Sequence, residues 1–87
     1  MATRGRGISK SLRSSEHAIF RALMIETRKK AGLTQEQLAK RLRRPQSFVA
    51  KYEGGERRID VVEFLAVVGA MRADPLTILR ALIQRTE

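Results

Sequence analysis

Apolar side chains recur at three- and four-residue spacing in five separate stretches of this chain, each lying between residues that start or stop helices. The first stretch begins at Ser14 or Ser15, either a suitable N-cap, and carries Phe20, Leu23, Met24 and Thr27 on one side as far as Ala31. Gly32 then suits the left-handed position that ends a helix, and Arg28, Lys29 and Lys30 put positive charge on the last turn, where the backbone dipole favours it. Thr34 with Gln37 makes a capping box ahead of Leu38, Ala39 and Leu42, the second helix. Pro45 lacks the amide hydrogen that a first helical residue does not need, so a third helix is expected to begin there and run through Glu53 to the stop at Gly54-Gly55. Asp60 with Glu63 caps a fourth helix bearing Val61, Phe64, Leu65, Val68 and Met71. Asp74 and Pro75 open a fifth, with Leu76, Leu79, Leu82 and Ile83 as its apolar stripe.

No stretch alternates with period two between turn residues, so the fold class is all-α. The link between the second and third helices is only about three residues long, which forces a steep crossing and reads as a helix-turn-helix unit. At 87 residues the chain has room for one core. Its hydrophobic fraction of 43% is that of a folded globule rather than of a disordered basic tail. Residues 1–14 differ, because Gly5, Gly7 and several serines interleave with Arg4, Arg6, Lys10 and Arg13. They are expected to form a flexible basic arm ahead of a helix-turn-helix domain over 15–87.

Charge narrows the function. Eighteen Lys and Arg against nine Asp and Glu leave +9, which calls for an anionic partner. The excess is concentrated: residues 28–58 hold ten basic side chains against Glu36, Glu53 and Glu56, whereas residues 59–87 hold three against four acids. With no cysteine and a single histidine, His17, the chain has no thiolate nucleophile, disulfide framework or multi-histidine metal site, so it is read as a non-enzyme without metal or cofactor. His17 is read as a first-turn surface residue. The apolar runs Phe64 to Val68 and Leu76 to Leu79 fall far below a membrane span, and the basic start has no apolar core of a signal peptide; a cytoplasmic, nucleoid-associated protein that does not enter membranes is the expectation.

The third helix carries the specific chemistry. At about 100° per residue, Pro45, Phe48, Val49 and Tyr52 share the packing side, while Gln46, Ser47, Ala50 and Lys51 share the solvent side. Glutamine pairs with adenine N6 and N7, serine serves base or phosphate, lysine reaches guanine or phosphate, and alanine touches a thymine methyl. That arc suits a major groove. Arg43 and Arg44, beside it in the turn, are expected to meet phosphate.

The stretch from Arg28 to Ala39, with its G-L-T-Q-x-x-L-A core at Gly32–Ala39, and the E-x-G that closes the third helix at Glu53–Gly55, resemble the Cro/CI-type (XRE-like) helix-turn-helix family of phage repressors and small bacterial regulators. The resemblance spans roughly residues 19 to 83 and implies a compact five-helix, lambda-repressor-like domain that binds operator DNA as a homodimer. By position, Gln35 resembles the family's phosphate-anchoring glutamine, Gln46, Ser47 and Lys51 its base-reading positions, Arg57 and Arg58 its backbone-clamping loop, and Arg28 with Glu53 its structural pair. The sequence departs from the pattern at Arg43, where glycine is usual, at Arg44, where an apolar residue is usual, and at Pro45, where a hydroxyl cap is usual.

The resulting expectation is a dimeric regulator on a palindromic operator, with Ile78 and Leu82 in the dimer contact. The arm residues Arg4 and Arg6 are expected along the phosphate backbone or in a minor groove. An antitoxin that neutralises a partner protein and binds DNA for autoregulation is the alternative, and a polymerase subunit, a toxin or an antiactivator is the kind of protein partner to look for. A ligand-sensing segment is not expected, and control through concentration, degradation or a protein partner is.

Overall fold

The computed structural model describes residues 14–87; the expected basic arm, with Arg4 and Arg6, lies outside the described residues except for Ser14. Five helices follow in order: α1 Ser15–Lys30, α2 Gln35–Leu42, α3 Gln46–Gly54, α4 Val61–Ala70 and α5 Pro75–Thr86. No strand occurs among the described residues.

Local chemistry explains each boundary. Ser14 Oγ accepts from the His17 amide at the start of α1, and Gly32 leaves the helix at φ 74°. Thr34 and Gln37 bond reciprocally, and Asp60 and Glu63 repeat the arrangement at α4. Asp74 accepts from the Leu76 amide with Pro75 in the first turn of α5. The third helix differs from the sequence reading by one residue. Pro45 is the N-cap at ψ 153°, and α3 begins at Gln46. The ring fixes φ equally well for either position, and the Pro45 carbonyl takes the Phe48 amide at 2.9 Å, closing the first turn without a side-chain cap.

The core is built where α1, α2, α3 and α4 converge, with Met24, Leu38, Val49, Tyr52, Val67 and Val68 sealed from solvent. α2 packs on α3 and α4, and α5 closes the opposite side against α1. The apolar stripe of α5 divides between inside and outside. Ile78 is only 4% exposed and belongs to the core, with Leu82 packed half-buried against it. Ile78, expected in a contact between copies, therefore lies inside the core of the single chain and offers little surface outward. Leu76, Leu79 and Ile83 face outward instead, joining Val61, Val62 and Leu65 of α4 as the large apolar side chains left exposed. No described helix is long and apolar enough to cross a membrane.

Candidate nucleic-acid interface

The turn between α2 and α3 is made by Arg43, which takes the left-handed conformation at φ 55°, ψ 41°. Its amide reaches the Lys40 carbonyl at 3.1 Å and the Arg44 amide reaches that of Ala39 at 3.0 Å, satisfying the end of α2. A branched or long side chain is strained in this conformation relative to glycine, so the turn carries a cost of about 1 kcal/mol. The same conformation leaves the Arg43 side chain exposed, with no carboxylate partner among the described residues.

Across the turn, α3 buries Phe48, Val49, Tyr52 and Glu53 and exposes Gln46, Ser47 and Lys51, with Ala50 half-buried between them. Gln46, at one end of the exposed strip, is held by a chain of side-chain bonds running back into the core. Arg28 on α1 donates from Nε and Nη2 to the two carboxylate oxygens of Glu53, at 2.8 and 3.0 Å, and from Nη1 to the Leu33 carbonyl at 2.9 Å. The pair is buried, with side-chain exposures of 10% and 4%, so its hydrogen bonds must be complete to offset desolvation. The hydrogen bond to Glu53 raises the Arg28 pKa above its already high ordinary value. Glu53 Oε1 also accepts from Gln35 Nε2 at 2.9 Å, and Gln35 Oε1 accepts from Gln46 Nε2 at 3.1 Å. Four side chains from three helices thus form one chain that ends at the amide of Gln46. Tyr52 lies within the same core, where burial pushes its hydroxyl pKa up and leaves it without a hydrogen-bond partner among the described residues.

A second cluster surrounds Phe48. The guanidinium carbons of Arg44 and Arg57 lie over its ring at 4.9 and 4.8 Å. Arg57 is bound bidentately by Glu63, at 2.8 and 3.2 Å, and donates to the Arg58 carbonyl at 2.9 Å; Arg44 stands 3.9 Å from the same carboxylate. The Arg57 bond, with the Asp60 amide, pulls the Glu63 carboxyl down to about 2, and Glu63 in turn raises Arg57. Arg58 and Lys51 are exposed without a carboxylate partner among the described residues, whereas Arg41 spends a donor on the Ala70 carbonyl at the end of α4, at 2.8 Å. Sequence reasoning assigned Glu63 only its capping role. The separation of six residues from Arg57, across a loop, matches no helical spacing that would have revealed the pair.

The arrangement of helices is shared with known proteins. The helix-turn-helix domain family model matches residues 20–81. The structure of an XRE-family like protein from Pseudomonas syringae pv. tomato str. DC3000 superposes with a TM-score of 0.77 at 42% identity, over 84% of this chain and 91% of that one. The chain belongs to the XRE-like helix-turn-helix DNA-binding family. Two more distant structures share the fold. The restriction-modification controller protein C.Esp1396I has a TM-score of 0.75 at 17% identity over 83% of this chain and 92% of its own. The clp gene regulator ClgR from C. glutamicum has 0.74 at 17% identity over 86% and 97%. No curated protein matches the chain at a significant level. Within an XRE-like domain the described residues hold no group of side chains arranged to bind a metal ion.

Proposed function

We propose that this XRE-like protein is a sequence-specific transcriptional regulator that binds double-stranded DNA as a homodimer, with α3 in the major groove and without a cofactor. One observation carries the reading: Gln46 is exposed at the start of α3 while its amide is held by Gln35, which is itself held by the buried Glu53–Arg28 pair. A glutamine braced in this way presents an N–H and a carbonyl oxygen in fixed order, the pattern that adenine N7 and N6 complement. Ser47, Ala50 and Lys51 complete the base-facing strip, and Gln35, Arg43, Arg44, Arg57 and Arg58 face the phosphates on either side of it. Arg4 and Arg6 add charge from the arm.

The homodimer is supported by the exposed Leu76, Leu79 and Ile83 of α5 with Val61, Val62 and Leu65 of α4. These residues lie in residues 59–87, where acids outnumber bases, so two chains of +9 meet there with little repulsion. Two-fold pairing places α3 of each copy about one helical turn apart, roughly 34 Å, on a palindromic site. A cytoplasmic, nucleoid-associated protein follows from that role.

The test is selection of duplexes from a random pool by the wild-type protein and by Gln46→Ala. The wild type is expected to enrich a two-fold symmetric site, and the variant to lose about 1–3 kcal/mol of discrimination at one base pair in each half. An unsymmetric enrichment removes the dimer, and an equal loss on selected and random DNA removes the base-reading role of Gln46.

A further inference from the structure

We infer that Glu63 is a specificity-determining residue that keeps Arg57 off the phosphate backbone until α3 is fully seated. The inference rests on the DNA-binding reading above and concerns the second cluster, which that reading leaves as a plain row of phosphate contacts.

Arg57 has five N–H donors, and three are already occupied in the free protein, two by Glu63 and one by the Arg58 carbonyl. Its guanidinium also lies over Phe48, which is itself 8% exposed and therefore cannot follow the arginine outward. Glu63 is equally anchored, because its Oε1 accepts the Asp60 amide that opens α4. A phosphate approaching Arg57 must displace a bidentate carboxylate rather than fill an empty site. Arg44 is placed differently: it shares the Phe48 ring, but at 3.9 Å from Glu63 and with half of its side chain exposed it is only loosely held.

Two neighbouring cations thus differ in availability, and one carboxylate sets the difference. Loose encounters with any duplex are served by the exposed Arg43, Arg44, Arg58 and Lys51. Exchange of Glu63 for phosphate at Arg57 occurs only where groove contacts by α3 hold the backbone close. Glu63 therefore lowers affinity for wrong sites more than for the right one, which is how a competing charge improves discrimination. The carboxyl remains ionised throughout the neutral range, consistent with a permanent competitor.

Glu63→Gln isolates this effect, since glutamine still serves a capping box while the charge is lost. Binding of wild type, Glu63→Gln and Glu56→Gln to a random-sequence duplex and to the selected site is followed by fluorescence anisotropy across a salt series, with circular dichroism melts checking the fold. Glu56→Gln adds the same unit of charge in the loop just before α4, where Glu56 has no ion pair among the described residues. Glu63→Gln is expected to bind the random duplex on the order of tenfold tighter, with a slope of log K against log salt steeper by about one, and to gain less on the selected site. Glu56→Gln is expected to gain less than Glu63→Gln on random DNA. An unchanged or weaker random-duplex affinity for Glu63→Gln, or an equal gain from Glu56→Gln, overturns the inference.

A measurement on the unaltered protein stands beside the variants. The Arg57 side-chain NMR signals are expected to shift with the selected site and to stay in place with the random duplex; movement with both, or with neither, also overturns it. Lack of any preference by the wild type for the selected over the random duplex is a separate result, and sinks the DNA-reading function itself.

Discussion

Gln46 Nε2 donates to Gln35 Oε1 at 3.1 Å, which ties the first residue of α3 to the first residue of α2. Because Gln35 gives its own amide hydrogen to Glu53, the direction of each amide is set by the one behind it. Replacing Gln35 with leucine keeps the volume and removes both bonds. Gln35→Leu is expected to cost about 1–2 kcal/mol of stability through the lost bond to the carboxylate, and to relax discrimination at the base pair read by Gln46. Competition binding against single-base variants of the selected site checks this, and retention of full discrimination would show that Gln46 is oriented without its neighbour.

The Arg28–Glu53 pair supports that chain from beneath. Arg28→Met leaves a carboxylate buried without its cation and is expected to destabilise by about 3–5 kcal/mol. Arg28→Met/Glu53→Leu, which removes the orphaned charge as well, should recover most of that loss while leaving Gln35 unanchored. Urea denaturation of the two variants separates the energetic contribution of the pair from its role in holding the interface.

Arg43 sets stability against binding at one residue. Its left-handed backbone is costly for arginine and natural for glycine, although glycine loses more entropy on folding. Arg43→Gly is expected to raise stability by about 0.5–1 kcal/mol and to weaken binding to every duplex while flattening the salt slope by about one. Thermal melts and salt titrations measure the two effects independently, and they should move in opposite directions.

Acid should weaken the link between the α3–α4 loop and α4. Glu63 has its carboxyl pKa lowered from 4.5 to about 2 by the Arg57 hydrogen bond and the Asp60 amide. Between those values the unfolded chain binds the proton and the folded chain does not, so stability rises with pH there. The contribution is complete above pH 4.5 and is lost as pH falls through about 2. Melting temperatures of the wild type should therefore drop more steeply than those of Glu63→Gln over this window, and parallel curves would deny the pair any part in acid stability.

Much of the architecture was readable because helix boundaries are written in short-range chemistry. Thr34 with Gln37, Asp60 with Glu63 and Asp74 with Pro75 each act within a single turn, and the structure uses all three as starts of helices. The partition of α3 into a packed and an outer side was equally legible, because helical periodicity settles it before any tertiary contact forms. Pro45 is the cap of α3 and not its first residue, a distinction the sequence does not carry because its fixed φ fits both positions and only ψ separates them.

Contacts between residues far apart in the chain, or across a loop, had no such local signal. Residue order alone yields the five amphipathic segments, their caps and the cluster of positive charge, since each depends on neighbours within a few positions. Folding decided which apolar residues of α5 turn inward, so that Ile78 went to the core while Leu79 stayed outside. It also decided that Gln35 spans Glu53 and Gln46, and that Glu63 holds Arg57 beside Phe48. These relationships arise from how separate helices are set against one another, and a side chain's partner across that distance is chosen by packing geometry that periodicity does not encode.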